Sequence, residues 1–100
     1  MFEGKELTLL AEMTFAAPVD ETVVEALKTL VAATRQEPGC IEYAAHVHAA
    51  DPKRVVFYER WTDQNALDVH CAAPALTAFR VGMGHLLADA PALSFWTRLG

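Results

Sequence analysis

Apolar and polar residues alternate from Leu7 to Phe15, with Leu7, Leu9, Ala11, Met13 and Phe15 on one side and Thr8, Glu12 and Thr14 on the other. A period of two, spoiled only by Leu10, predicts a strand with one buried face, broken by Ala16-Ala17-Pro18-Val19. Asp20 then offers an N-cap and Glu21 a first-turn acid. Val23, Ala26, Leu27, Leu30, Val31 and Thr34 recur at helical spacing until Pro38-Gly39 ends the helix. From Cys40 the period returns to two. Ile41, Tyr43, Ala45, Val47 and Ala49 fall on one face, and Cys40, Glu42, Ala44, His46 and His48 on the other. Asp51-Pro52-Lys53 is turn chemistry, so Arg54–Trp61 is expected to complete an antiparallel hairpin.

Thr62 is a candidate cap for a second helix, with Asp63 in its first turn and Ala66, Leu67, His70 and Cys71 on its inward stripe. Pro74 predicts a break and restart. Leu76, Phe79, Met83, Leu86 and Leu87 carry the helical period on, and Pro91 precedes a last strand, Ala92 to Leu99. The order β-α-β-β-α-β predicts an α+β fold, a ferredoxin-like sandwich whose antiparallel four-stranded sheet carries both helices on one face. Large residues such as Tyr58, Trp96 or Phe57 must then occupy the uncovered face. An exposed apolar sheet face predicts a homodimer joined through the sheets.

A length of 100 residues gives a single domain, 1–100, with room for one compact core. The charge balance, 13 Asp+Glu against 8 Lys+Arg, argues against nucleic-acid binding, which needs a basic stripe. No apolar run has the length of a membrane span. The N-terminal stretch, with Glu3 and Glu6, lacks the basic region and apolar run of a secretory signal. Cys40 and Cys71 are too far apart for a Cys-x-x-Cys motif and read as buried reduced thiols of a cytoplasmic protein.

Three features bear on chemistry. His70 lies on the inward stripe of the second helix, where an imidazole can act as proton acceptor at neutral pH or as a core histidine bonded to a carbonyl. Glu59 and Trp61, two apart on a strand, project from the same face. The carboxylate beside the indole can orient a histidine, hold a proton, or simply be a paired charge. His46 and His48 form a His-x-His pair that supplies only part of a metal's coordination sphere, so no metal site is expected. Gly82-x-Gly84 lacks the third glycine and preceding strand of a phosphate loop, and neither cysteine carries a nucleophile–base signature.

Taken together, Glu37-Pro38-Gly39-Cys40, Tyr58-Glu59-Arg60-Trp61, Asp63 with Ala66, His70, and the Pro74 to Phe79 segment resemble the antibiotic biosynthesis monooxygenase family, quinol monooxygenase-like proteins among them. The resemblance implies a dimeric α+β barrel with a pocket between sheet and helices in each subunit. It also implies oxidation of a small phenol or quinol by dioxygen without metal or organic cofactor. His70 and Trp61 match pocket-lining positions. His70 is then the expected base, Trp61 the wall on which the ring stacks, and Glu59 the orienting or polarising group. Tyr58, His46, His48 and Phe79 are further candidates for substrate contact. Ala75 replaces a second histidine of many relatives, and the first strand lacks the asparagine of the haem-degrading branch. Two other readings of the same fold stay open: an isomerase-like or degradative enzyme for a small carbonyl compound, and a non-catalytic dimeric binding or stress protein.

Overall fold

The structure is a computed structural model that describes residues 5–100; Glu3 of the N-terminal stretch lies outside the described residues. Its elements run β1 (Leu7–Thr14), α1 (Glu21–Thr34), β2 (Cys40–Val47), β3 (Arg54–Trp61), α2 (Gln64–Ala72), α3 (Pro74–Met83), a 3-10 turn (Gly84–Leu86) and β4 (Ala92–Trp96). The four strands form one antiparallel sheet in the order β2-β3-β1-β4, the ferredoxin-like arrangement that the alternation and helical periods predict. No helix among the described residues is long and apolar enough to cross a membrane.

Register decides which side chains meet the helices. Leu7, Leu9, Ala11 and Met13 of β1 stand opposite Trp61, Glu59, Phe57 and Val55 of β3, and this row forms the covered face. Leu9, Phe57, Val55 and Trp61 are all at most 2% exposed. Val23, Leu27 and Leu30 of α1 and Leu76 and Phe79 of α3 close the core from above. The opposite face carries Leu10, Tyr58 and Trp96, so Phe57 is inside and the other two aromatics are outside.

Local chemistry sets the element ends. Asp20 caps α1, its Oδ1 accepting from the Val23 amide at 3.0 Å. Asp63, one residue later than the sequence suggested, caps α2 by accepting from Ala66 at 2.9 Å. Pro74 opens α3 at its first turn, where its missing N–H costs nothing. Beyond Met83 the backbone tightens into the 3-10 turn, so Leu86 and Leu87 leave the helix. The last strand stops at Trp96, short of the expected Leu99.

One irregularity corrects the reading of β2. Cys40 pairs with Trp61 and Glu42 with Arg60, so two residues of β2 oppose one of β3. The extra residue reverses the alternation. Cys40 joins Tyr43 on the covered side, and Ile41 is left 43% exposed. Gly39, immediately before the bulge, has φ +79, and a Cβ there would stand 2.5 Å from the Ala66 Cβ and 2.6 Å from the Thr62 Oγ1. Its own carbonyl ties the chain to the start of α2, accepting from the Thr62 amide at 2.9 Å.

Gly39→Ala combines a left-handed backbone with overpacking and is expected to cost about 2–4 kcal/mol in chemical denaturation. Gly82→Ala, in α3 with open space around it, is expected to stabilise by about 0.5–1 kcal/mol.

Candidate active site

The site begins with a break in the strand pattern. Along β3 the inward positions read Val55, Phe57, Glu59 and Trp61, so a carboxyl occupies a row otherwise apolar. Its cross-strand neighbours are Tyr43 on β2 and Leu9 on β1, and it is only 4% exposed. Such a group is costly to ionise unless it is hydrogen-bonded. The bond comes from Trp61, whose indole Nε1–H donates to the Glu59 Oε1 at 3.0 Å. Burial still outweighs that donor and pushes the Glu59 carboxyl up from 4.5 to about 7. Glu59 is therefore divided between acid and carboxylate at neutral pH. Burial, with the charge of Glu59 added to it, also pushes the Tyr43 phenol well above its usual range.

His70 is brought to the same cluster from α2 and is 2% exposed. Its ring lies over Trp61, with centroids 4.7 Å apart and planes at 31°, and meets Tyr43 edge-on at 5.3 Å. Its Nδ1 is 2.7 Å from the Glu37 Oε1. A carboxylate only accepts, so the Nδ1–H of His70 donates to Glu37. The orienting acid of His70 is thus Glu37, while Glu59 serves Trp61. Glu37 went unread as a site residue because 33 positions separate it from His70 in the chain. The one signal for it was its place in the Glu37-Pro38-Gly39-Cys40 motif.

A cavity of about 90 Å³ lies between the covered sheet face and α3. Glu59, Tyr43 and Phe57 line it from the sheet and Leu76, Phe79 and Arg80 from the helix. Three of its twelve lining residues are polar, namely Tyr43, Glu59 and Arg80. Trp61 and His70 are packed behind this wall, outside the lining. The other sequence candidates fall elsewhere. Tyr58 and His46 are on the opposite sheet face, because the residues alternate in register with Phe57 and Glu59. His48 lies past the end of β2, where its Nδ1 accepts from the amides of Ala50 and Asp51, both at 3.0 Å. It is a turn-stabilising residue there. Phe79 alone of the four contact candidates faces the cavity. The two cysteines also differ from expectation: Cys40 is half-buried, but Cys71 is exposed.

The Glu59 shift has a consequence for folding. The folded pKa exceeds the unfolded one, so the folded state binds the extra proton between pH 4.5 and about 7. The favourable contribution is present below pH 4.5 and is lost as pH rises through about 7. Glu59→Gln is expected to remove a loss of about 2–3 kcal/mol between pH 5 and pH 8. Denaturation at both pH values checks this: the wild type weakens more than the variant on going to pH 8.

Comparison with known proteins sets this geometry in a family. A structure of PA3566 from Pseudomonas aeruginosa superposes with a TM-score of 0.85 at 30% identity, covering 100% of this chain and 99% of that one. SnoaB from Streptomyces nogalater, described as a cofactor-independent oxygenase, shares the fold at a TM-score of 0.78 and 16% identity, over 95% of this chain and 94% of its own. Rv0793 of Mycobacterium tuberculosis, provisionally named a monooxygenase, is 34% identical over 61 residues, 61% of this chain. The matches span 59% of the length of Rv0793 and 40% of that of a Synechocystis relative. Residues 7–81, which include β1 through most of α3 and every member of the Glu37–His70–Trp61–Glu59 cluster, match the antibiotic biosynthesis monooxygenase family, and the chain belongs to that family.

Proposed function

We propose that this protein is a monooxygenase that oxidises a small hydroxylated aromatic with dioxygen, using Glu59 as the base. The observation that carries the reading is a carboxyl poised near neutrality on the wall of a small cavity whose lining is otherwise largely apolar. A base with a pKa near the working pH is available as carboxylate yet still holds the proton it takes. Glu59 removes the hydroxyl proton of a phenol. The electron-rich anion passes an electron to dioxygen, and the resulting radicals join to form a C–O bond at a hydrogen-bearing ring carbon ortho or para to the oxygen. The O–O bond then breaks, and water leaves with the ring hydrogen and the proton returned by Glu59. A phenol plus dioxygen thus gives a quinone plus water. The substrate supplies all four electrons, so the sequence of steps requires no external reductant.

The sequence placed the base at His70. Here that role passes to Glu59, because Glu59 lines the cavity while His70 lies behind it with Nδ1 tied to Glu37. His70 and Trp61 act on Glu59 by position: the imidazole fixes the indole plane, and the indole N–H points at the carboxyl. The apolar lining favours an aromatic guest over a small polar carbonyl compound, which would need more hydrogen-bonding partners.

Oxygen uptake with a panel of monocyclic phenols and quinols tests the reaction. Consumption of at least one of them is expected, with kcat/KM rising with pH through about 7 as Glu59 ionises. Glu59→Gln is expected to lower kcat about 100-fold or more. If Glu59→Gln keeps full rate while His70→Ala abolishes it, the base is His70 and the assignment to Glu59 fails.

The uncovered sheet face supports a homodimer as part of the same reading. Leu10, Val56 and Tyr58 occupy its centre and Trp96 its β4 edge. The Arg54–Glu12 pair and the Arg60 pairs with Glu6 and Glu42 stand toward its ends. An apolar centre with a charged rim is the composition of a protein–protein contact. Light scattering is expected to give a mass twice that of the chain, and Tyr58→Lys to return it to that of a monomer.

A further inference from the structure

The proposed oxidation of a small hydroxylated aromatic, on which this rests, needs room for a ring. The cavity has a volume of about 90 Å³, whereas a hollow that holds benzene measures roughly 150 Å³. A monocyclic phenol therefore enters only when part of the lining withdraws. We infer that the segment 82–91, from the end of α3 to the start of β4, is the gate of the cavity. It swings at Gly82 and Gly84 and lets go of the end of β1 as the guest passes.

The other walls are fixed. Ala11 on β1 and Phe57 and Glu59 on β3 belong to the central strands, each bonded to a neighbour on both sides. In the roof, Leu76 and Phe79 are buried members of the core. Past Phe79 no described residue is buried, and this stretch supplies Gly84, Leu87 and Pro91 to the lining. Two backbone bonds tie it to the end of β1. The Ala16 amide donates to the Leu86 carbonyl at 2.9 Å, and the Ala88 amide to the Thr14 carbonyl at 2.8 Å. They flank the isolated bridge between Phe15 and Leu87. Ala16 and Ala88 are both exposed, so water takes up these bonds when the segment lifts. Leu86 and Leu87 add only half-buried contacts to the core.

The hinge carries a separate observation. Gly82 lies in the last turn of α3, and Gly84 follows as its C-cap in an ordinary right-handed conformation, φ −57 and ψ −34. Positive φ among the described glycines occurs at Gly39 alone. A Cβ at Gly82 or Gly84 would meet nothing within 4 Å. Neither backbone conformation nor packing calls for glycine at these positions, and each leaves the chain freer than alanine would. They flank Met83, where the helix yields to the 3-10 turn and its poorer hydrogen-bond geometry. A loosened joint at one end and a thin latch in the middle let the segment move as a unit. Withdrawal of Gly84 and Leu87 widens the cavity on the side they line.

Two substitutions move the gate in opposite directions. Gly82→Ala stiffens the hinge. Ala88→Pro removes the donor to Thr14, and Leu87, at φ −77 and ψ 138, already holds the extended conformation that a following proline demands. In the wild type, the Ala16 and Ala88 amides are expected to exchange hydrogen about tenfold or more faster than those of the β1–β3 ladder. Gly82→Ala is expected to slow both amides by the same factor, about fivefold, because one opening releases both. Ala88→Pro is expected to quicken exchange at Ala16 about fivefold. Association of 4-fluorophenol, followed by fluorine NMR without oxygen, is expected to slow and quicken in step. Protection equal to that of the ladder, unequal slowing of the two amides, one association rate for all three proteins, or no binding of the probe overturns the gate. Oxygen uptake with a panel of phenols and quinols separates this inference from the reaction on which it rests. Gated association without uptake keeps the gate and removes the oxygenase reading, whereas uptake with ungated association does the reverse.

Discussion

A carboxyl group held on the buried face of a central strand is the constraint around which the rest of this site is arranged. Glu59 could have been replaced by any branched aliphatic without disturbing the alternation of β3. Its presence there requires a donor within reach, and the Trp61 indole on the same face supplies one. The indole must in turn be held in plane, and the His70 ring packed over it does so. The imidazole then needs a partner for its own N–H, which Glu37 provides from the loop before β2. Each group in this series answers a polar requirement created by the previous one, and the series ends where Glu37 approaches solvent, 14% exposed.

That arrangement depends on a backbone irregularity remote from the cavity. The bulge at the start of β2 and the left-handed Gly39 before it bring the Glu37 loop down against α2, which carries His70. Without the extra residue Cys40 would face outward and the loop would leave the sheet at a different angle. The same close approach explains why only glycine fits at position 39, since any Cβ would run into Ala66 and Thr62. Sheet irregularity and polar cluster are parts of one construction, and membership of the family spans both, as the matching residues 7–81 contain the loop, the bulge and the cluster.

The cavity itself owes its composition to the sheet and α3 jointly. From the floor come a weak acid and two aromatic rings, Tyr43 and Phe57; from the roof come Leu76, Phe79 and a cation. Most of the lining is apolar, which raises the energetic weight of the few polar groups present. An acid near neutrality in such surroundings can exchange a proton with a guest without large reorganisation, which is the requirement of base catalysis at neutral pH.

Much of the architecture was legible in the chain's periodicities. The alternation in β1 and β3, the helical stripe of α1, the cap at Asp20 and the break at Pro74 are local signals, set by geometry within a few residues, and they suffice for element order and fold class. The common face of Glu59 and Trp61 and the inward placement of His70 were legible for the same reason, whereas which sheet face Glu59 and Trp61 share was not. Other features depend on pairing between distant segments. The bulge reversed the faces of Cys40 and Ile41, because parity is a property of two strands and not of one. Tyr58 and His46 fell on the far face, Glu37 became the partner of His70, and the cavity passed to Glu59 while His70 was packed behind it. Side-chain identity along a strand is written in the sequence. Which of those side chains share a hollow, and which acid meets which ring, is settled only when the sheet closes against its helices.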